Sequence, residues 1–170
     1  MVILFSDRNS NAEKEITDIL TFVGADHISD KKICSNKGVF TFISTHKKNE
    51  LKLNKGIAIF CDNTERFNGQ TFPLGLIGIC EENNINALEQ FQKSNIAIIS
   101  CGMNSKNTIT LSSLGEYTIL VSLQRSITDI KGNIVYPTDF KINLKKHYSP
   151  FAIMVSVAVL LFYGITPKEF

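Results

Sequence analysis

The residues able to do chemistry in this chain gather where short apolar runs end. Asp7-Arg8-Asn9 follows "VILFS", Asp62-Asn63-Thr64 follows "GIAIFC", Glu81-Glu82-Asn83 follows "LGLIGIC", and Gly102-Met103-Asn104 comes just after "NIAIIS". In an open parallel sheet, ligands collect beyond the carboxyl ends of the strands. The four turns are therefore expected along one edge, with Asp7, Arg8, Asp62, Asn63, Glu81 and Glu82 as candidate contacts for a small polar or nucleotide-like ligand. The same residues also suit exposed turns that cap the helices behind them.

Cys61, Cys80 and Cys101 each close one of these strands. Converging with Asp62, Glu81 and Glu82, three thiolates and a carboxylate would suit zinc. Side chains alternate across a strand, however, and a strand-end cysteine behaves as a small buried hydrophobe. The expectation is no metal and no cofactor. With Cys34 the chain has four cysteines, no CxxC, and hence no disulfide framework. His27 and His46 fall in predicted loops and are expected at the surface, while His147 stands just before a helix start. No Ser-His-Asp or Cys-His set follows from spacing. "CGMNSKNT" (101–108) has a glycine, a serine and a lysine but is followed by a strand. It offers no helix N-terminus to an anion and reads as a connector.

The elements that must position these groups alternate in period. "VILFS" reads as a buried strand, and Ser10 with Glu13 as a capping box that opens a helix closed by Gly24. Ile16, Ile19, Leu20 and Val23 form its apolar face. Residues 31–45 suggest two short strands forming a hairpin around Asn36-Lys37-Gly38. Asn84 caps a helix to about Lys93 with Ile85, Ala87, Leu88 and Phe91 inward. Continuous apolar strands separated by helices predict a mainly parallel sheet covered on both faces. After Gly102, alternating short runs predict an antiparallel β extension. The fold class is thus α/β, Rossmann-like, in one domain over 1–170.

The last apolar stretch, Pro150 to Tyr163, is 14 residues long, against about 20 for a membrane-spanning helix. Ser149 suits the N-cap, Pro150 the first helical position and Gly164 the C-terminal turn. A buried helix is expected, and no membrane partner. The start shows no basic leader, so the chain reads as cytoplasmic. Its net charge of +2 gives little drive towards nucleic acid. Lys31, Lys32, Lys37, Lys47, Lys48, Lys52 and Lys55 read as a solvated face, with an anion-binding patch as the alternative. The many Lys, Asn and Ile residues fit a low-GC bacterial coding bias.

Three segments together carry a resemblance. "LGLIGICEENNINALEQFQKSNIAIISCG" (74–102) reads as strand, acidic turn, helix and strand, "NTITLSSL" (107–114) as the next strand, and "HYSPFAIMVSVAVLLFYGITPKEF" (147–170) as a buried helix ending in Gly-Ile. This order resembles the central, ATP-binding domain of the Mur ligases, which build peptidoglycan precursors, and of the related folylpolyglutamate synthetases. The resemblance implies a Mur-ligase-type α/β fold and makes His147 a candidate ligand contact, in place of the family's adenine-holding His-Asn pair. It also implies a phosphate-binding loop after the first strand. The family's Gly-Lys-Thr/Ser core is replaced there by "SDRNSNAEK", which lacks glycine and puts Asp7 near the phosphate position. The family's C-terminal ligase domain would begin after residue 170. The expected function is a non-catalytic binding or interaction module, linked to cell-wall precursor metabolism by resemblance alone. The alternatives are a small enzyme using strand-end carboxylates and cysteines, and a homo-oligomeric structural subunit.

Overall fold

Apolar runs too short for helices make the centre of the sheet. The computed structural model describes residues 1–7, 10–46, 53–61 and 71–170. In chain order the elements are β1 (Val2–Phe5), α1 (Asn11–Phe22), β2 (Asp26–Ile28), β3 (Ile33–Cys34), β4 (Thr41–Thr45), β5 (Gly56–Phe60), β6 (Leu76–Glu81) and α2 (Ile85–Lys93). They continue with β7 (Ala97–Cys101), β8 (Ile109–Leu114), β9 (Thr118–Leu123), β10 (Ile127–Thr128), β11 (Ile134–Val135), β12 (Thr138–Asn143) and α3 (Pro150–Phe162). The ten-stranded sheet has the order β12-β9-β8-β7-β6-β5-β1-β4-β2-β3. Its strands from β2 through β8 in space are parallel; β3 pairs antiparallel on one edge, and on the other β9 pairs antiparallel with both β8 and β12. The antiparallel extension thus begins one strand later than expected, because β8 first joins β7 in parallel through Cys101 and Ile109.

Alternation along the strands fills both faces. Val2, Leu4, Ile57 and Ile59 pack into one cluster with α1 and α3. Ile3, Phe5, Ala58 and Phe60 pack into the other with Phe72 and Phe91. Gly78 lets α2 lie close, since a Cβ there would stand 2.5 Å from the Phe91 ring. Ala87 and Phe91 are buried as expected and Gln90 joins them, whereas Ile85, also expected inward, is 64% exposed because it sits in the first turn.

The final helix settles the meaning of the longest apolar stretch. Ser149 caps it by accepting the Ala152 N–H, Pro150 opens it, and Gly164 at φ 71° ends it. Every residue from Phe151 to Phe162 is buried, each large apolar side chain contributing roughly 1.5–3 kcal/mol. At 13 residues it lies against the sheet and α1. No helix among the described residues is long and apolar enough to cross a membrane.

The hairpin expected at 31–45 takes another form. β3 and β4 flank the Asn36-Lys37-Gly38 turn but do not pair with each other, because β2 lies between them, antiparallel to β3 and parallel to β4. Asp26 of β2 fixes this arrangement by accepting the Asn36 N–H at 2.6 Å, and the Asn36 side chain donates to the Thr21 carbonyl at 2.6 Å. The turn is therefore pinned to α1 and β2 rather than folded on itself.

Candidate functional site

The carboxyl ends of β1, β2 and β4 meet the start of α1, and a set of hydrogen-bonded polar side chains collects there. Ser6 follows β1 and is 3% exposed. Its hydroxyl donates to Glu13 Oε2 at 2.5 Å. Ser10 caps α1 by accepting the Glu13 N–H at 3.2 Å. The return half of the expected capping box does not form: the Ser10 N–H donates to the Asp7 carbonyl at 3.2 Å. That leaves the Glu13 carboxylate to cross the β1–α1 turn to Ser6.

His46, just past β4, stands with Nδ1 3.1 Å from the Ser6 carbonyl, 3.2 Å from its hydroxyl and 3.8 Å from Glu13 Oε2. A carbonyl only accepts, so the neutral ring is assigned its proton on Nδ1 and Nε2 becomes an acceptor. His27 of β2, expected at the surface, is buried instead. Its Nε2 pairs with Ser44 Oγ at 2.6 Å and its ring stacks on Phe42 at 4.4 Å. Burial lowers its pKa below the ordinary 6.5; Glu13 pulls it upward and Lys32 down.

These groups border a cavity of about 520 Å³. Helix α1 contributes Ser10, Glu13, Lys14 and Thr17, a set spaced to lie on one helical face. His27 of β2, the turn residues Ser29, Asp30 and Lys31, and His46 line it as well. The Thr17 hydroxyl oxygen is buried and has no partner. A helical threonine ordinarily bonds back to the preceding turn, as Thr21 does to the Thr17 carbonyl at 2.7 Å. Thr17 does not.

The other singled-out residues lie elsewhere. Asp7 supplies its carbonyl to the α1 cap and does not line the cavity. Arg8, Asp62 and Asn63, with Lys47, Lys48 and Lys52, fall outside the described residues. Glu81 and Glu82 are exposed at the end of β6. Glu82 Oε2 accepts from Asn107 at 2.5 Å across Gly102, tying the β6 and β7 ends together. His147 is exposed, its ring 6.4 Å from that of Tyr117. The cysteines separate by face: Cys61 and Cys101 join the α1–α3 cluster, and Cys80 the α2 cluster. Burial, reinforced by Glu81, pushes the Cys80 thiol up to about 12, and burial raises Cys101 as well. Among the described residues, no three His, Cys, Asp or Glu side chains are grouped to hold a metal ion. Sequence reasoning passed over Ser6, Thr17, His27 and His46 as site residues. The polar face Ser10-Glu13-Lys14-Thr17 opposite the apolar one was the available signal.

No protein-family model and no curated protein sequence matches the chain. Among solved structures, MurF from Acinetobacter baumannii superposes over 97% of this chain with a TM-score of 0.54 at 10% identity. This is a Mur-ligase-like fold. A second Mur ligase, the UDP-N-acetylmuramate:L-alanyl-gamma-D-glutamyl-meso-diaminopimelate ligase from Neisseria meningitides, matches 99% of the chain with a TM-score of 0.56 at 8% identity. At such identities the likeness is one of fold. The chain spans 42% of the first structure's length and 62% of the second's. The Mur-ligase-like arrangement of a mainly parallel sheet with flanking helices is thus the one the sequence resemblance implied.

Proposed function

We propose that this chain is a non-catalytic, small-molecule-binding module on a Mur-ligase-like scaffold. The observation that carries the reading is the Glu13–Ser6 bond of 2.5 Å across the β1–α1 turn. A helix N-terminus beside a strand end is a ready anion site, because its N–H groups and dipole favour negative charge. Here the chain's own carboxylate takes that place, and the Ser10 side chain takes the Glu13 N–H. A polyphosphate brought to the same crook would meet Glu13, a like charge a few ångströms away. The missing glycines and the departure from Gly-Lys-Thr/Ser at residues 6–14 support the same reading. Burial favours the protonated Cys80 and Cys101 thiols, so thiolate chemistry gains no support.

The link to cell-wall precursors rests on the names of the two structural neighbours, one a UDP-N-acetylmuramate ligase. Two assays test the reading. Incubation with Mg-ATP and a UDP-linked muropeptide should release no phosphate above the protein-free blank; steady release that scales with protein concentration would overturn the non-catalytic assignment. Calorimetric titration with the muropeptide alone should give saturable heat, and a flat titration would remove the cell-wall link.

A further inference from the structure

We propose that the cavity at the head of α1 takes a small dicarboxylate bearing a hydroxyl, of the malate type, held between Lys14 and Lys31. The inference rests on the reading of this chain as a small-molecule-binding module and names its site and ligand class.

The charge distribution of the cavity walls carries the argument. Lys14 of α1 and Lys31 of the β2–β3 turn both line it, and neither has an ion pair among the described residues. Other lysines near α1 and α3 do find carboxylates: Lys146 pairs with Asp18 at 2.6 Å and Lys145 with Glu169 at 3.7 Å. The carboxylates of the cavity wall are engaged already. Glu13 accepts from Ser6, and Asp30 has a partner of its own. Two lysines without an ion pair among the described residues therefore border one space of about 520 Å³, within the usual range of small-ligand pockets. Two carboxylates on one short skeleton answer them better than a single anion. A polyphosphate would concentrate its charge beside Glu13.

The hydroxyl follows from two further groups. His46, anchored through Nδ1 on the Ser6 carbonyl, presents Nε2 as an acceptor. The Thr17 hydroxyl oxygen is buried without a partner, and leaving such a group unsatisfied is costly. A ligand hydroxyl donates one hydrogen bond and accepts another, so it satisfies both groups at once.

The test is an NMR titration of the isotope-labelled full chain with L-malate, succinate and inorganic phosphate, each to about 10 mM, where a millimolar site is nearly saturated, and with the UDP-linked muropeptide. L-malate should shift the amides of Lys14, Thr17, Lys31 and His46. Succinate, lacking the hydroxyl, should bind the same residues about 25-fold more weakly, as expected for two lost hydrogen bonds. Combining Lys14→Gln with Lys31→Gln should weaken L-malate at least about tenfold. Thr17→Val should weaken L-malate about fivefold, part of the way to succinate, while leaving succinate unchanged, a pattern that misfolding would not produce. Phosphate binding as tightly as L-malate at these residues would overturn the ligand class. L-malate binding that the double lysine variant leaves unchanged would overturn the site. If L-malate is silent while the UDP-linked muropeptide moves the cavity amides, the dicarboxylate inference fails and the module reading stands. Silence from every probe ends both.

Discussion

Helices α1 and α3 share one face of the sheet and a serine N-cap, yet they serve opposite ends. Helix α3 is covered on every side, and its one polar residue, Ser156, is fully buried with its hydroxyl unpartnered. Helix α1 buries Ile16, Ile19 and Leu20 on one side and gives Ser10, Glu13, Lys14 and Thr17 to a cavity on the other. The start of α3 is tied to the middle of α1: Ser149 donates its backbone N–H to Glu15 at 2.9 Å, and Tyr148 donates to Asp18 at 2.6 Å. The difference teaches where change is tolerated. A helix with no free face can vary only in volume, whereas a helix with a polar face can exchange one ligand chemistry for another while its apolar stripe keeps the fold.

The comparison breaks most visibly under truncation. Leu160→Ala in α3 should cost about 2–5 kcal/mol in urea unfolding through the lost transfer energy and the cavity it leaves. Lys14→Ala on the cavity face of α1 should stay within about 0.5 kcal/mol. Equal losses would erase the distinction between a packing helix and a site helix. The caps sharpen it at a smaller scale. Ser10→Ala should cost about 1 kcal/mol as a lost N-cap, and Ser149→Ala more, because its hydroxyl also donates to Glu15.

A third test is acid. The unfolded chain takes up a proton on His27 near pH 6.5, while burial keeps the folded imidazole neutral to lower pH. Unfolding therefore binds a proton as the pH falls below about 6.5, and stability present above that value is lost on the way down. The urea midpoint should drop between about pH 8 and about pH 5, and His27→Gln, which can still meet Ser44, should flatten the drop. An unchanged slope in the variant would show that His27 is not the titrating group. The smallest effect has the opposite sign. Ser156→Ala removes a buried hydroxyl with no partner, so its urea midpoint should match or exceed that of the native chain, by at most about 1 kcal/mol.

The scaffold was legible in the sequence wherever the signal was local. Continuous apolar runs marked β1, β5, β6 and β7, and β1 and β5, covered on both faces, need no alternation. Ser10, Asn84 and Ser149 were each readable as caps, because capping needs only the residue and the helix behind it. β2 was not legible. Asp26-His27-Ile28 has no apolar run, and the strand exists because β4 pairs beside it and Phe42 stacks on its histidine. The site was missed for the same reason. Ser6 and His46 are 40 positions apart, and only the parallel pairing of β1 with β4 brings them together. The turns proposed along the sheet edge are present at β6 and β7, but there Glu82 and Asn107 satisfy each other across Gly102.

The most direct test of a carboxylate standing where phosphate would bind is calorimetric titration of the native chain with Mg-ATP. On the proposed reading no saturable heat below about 1 mM is expected, since Glu13 is bonded to Ser6 across the β1–α1 turn. Saturable binding in the micromolar range would contradict it, and would mean that this turn still holds phosphate with Glu13 in place.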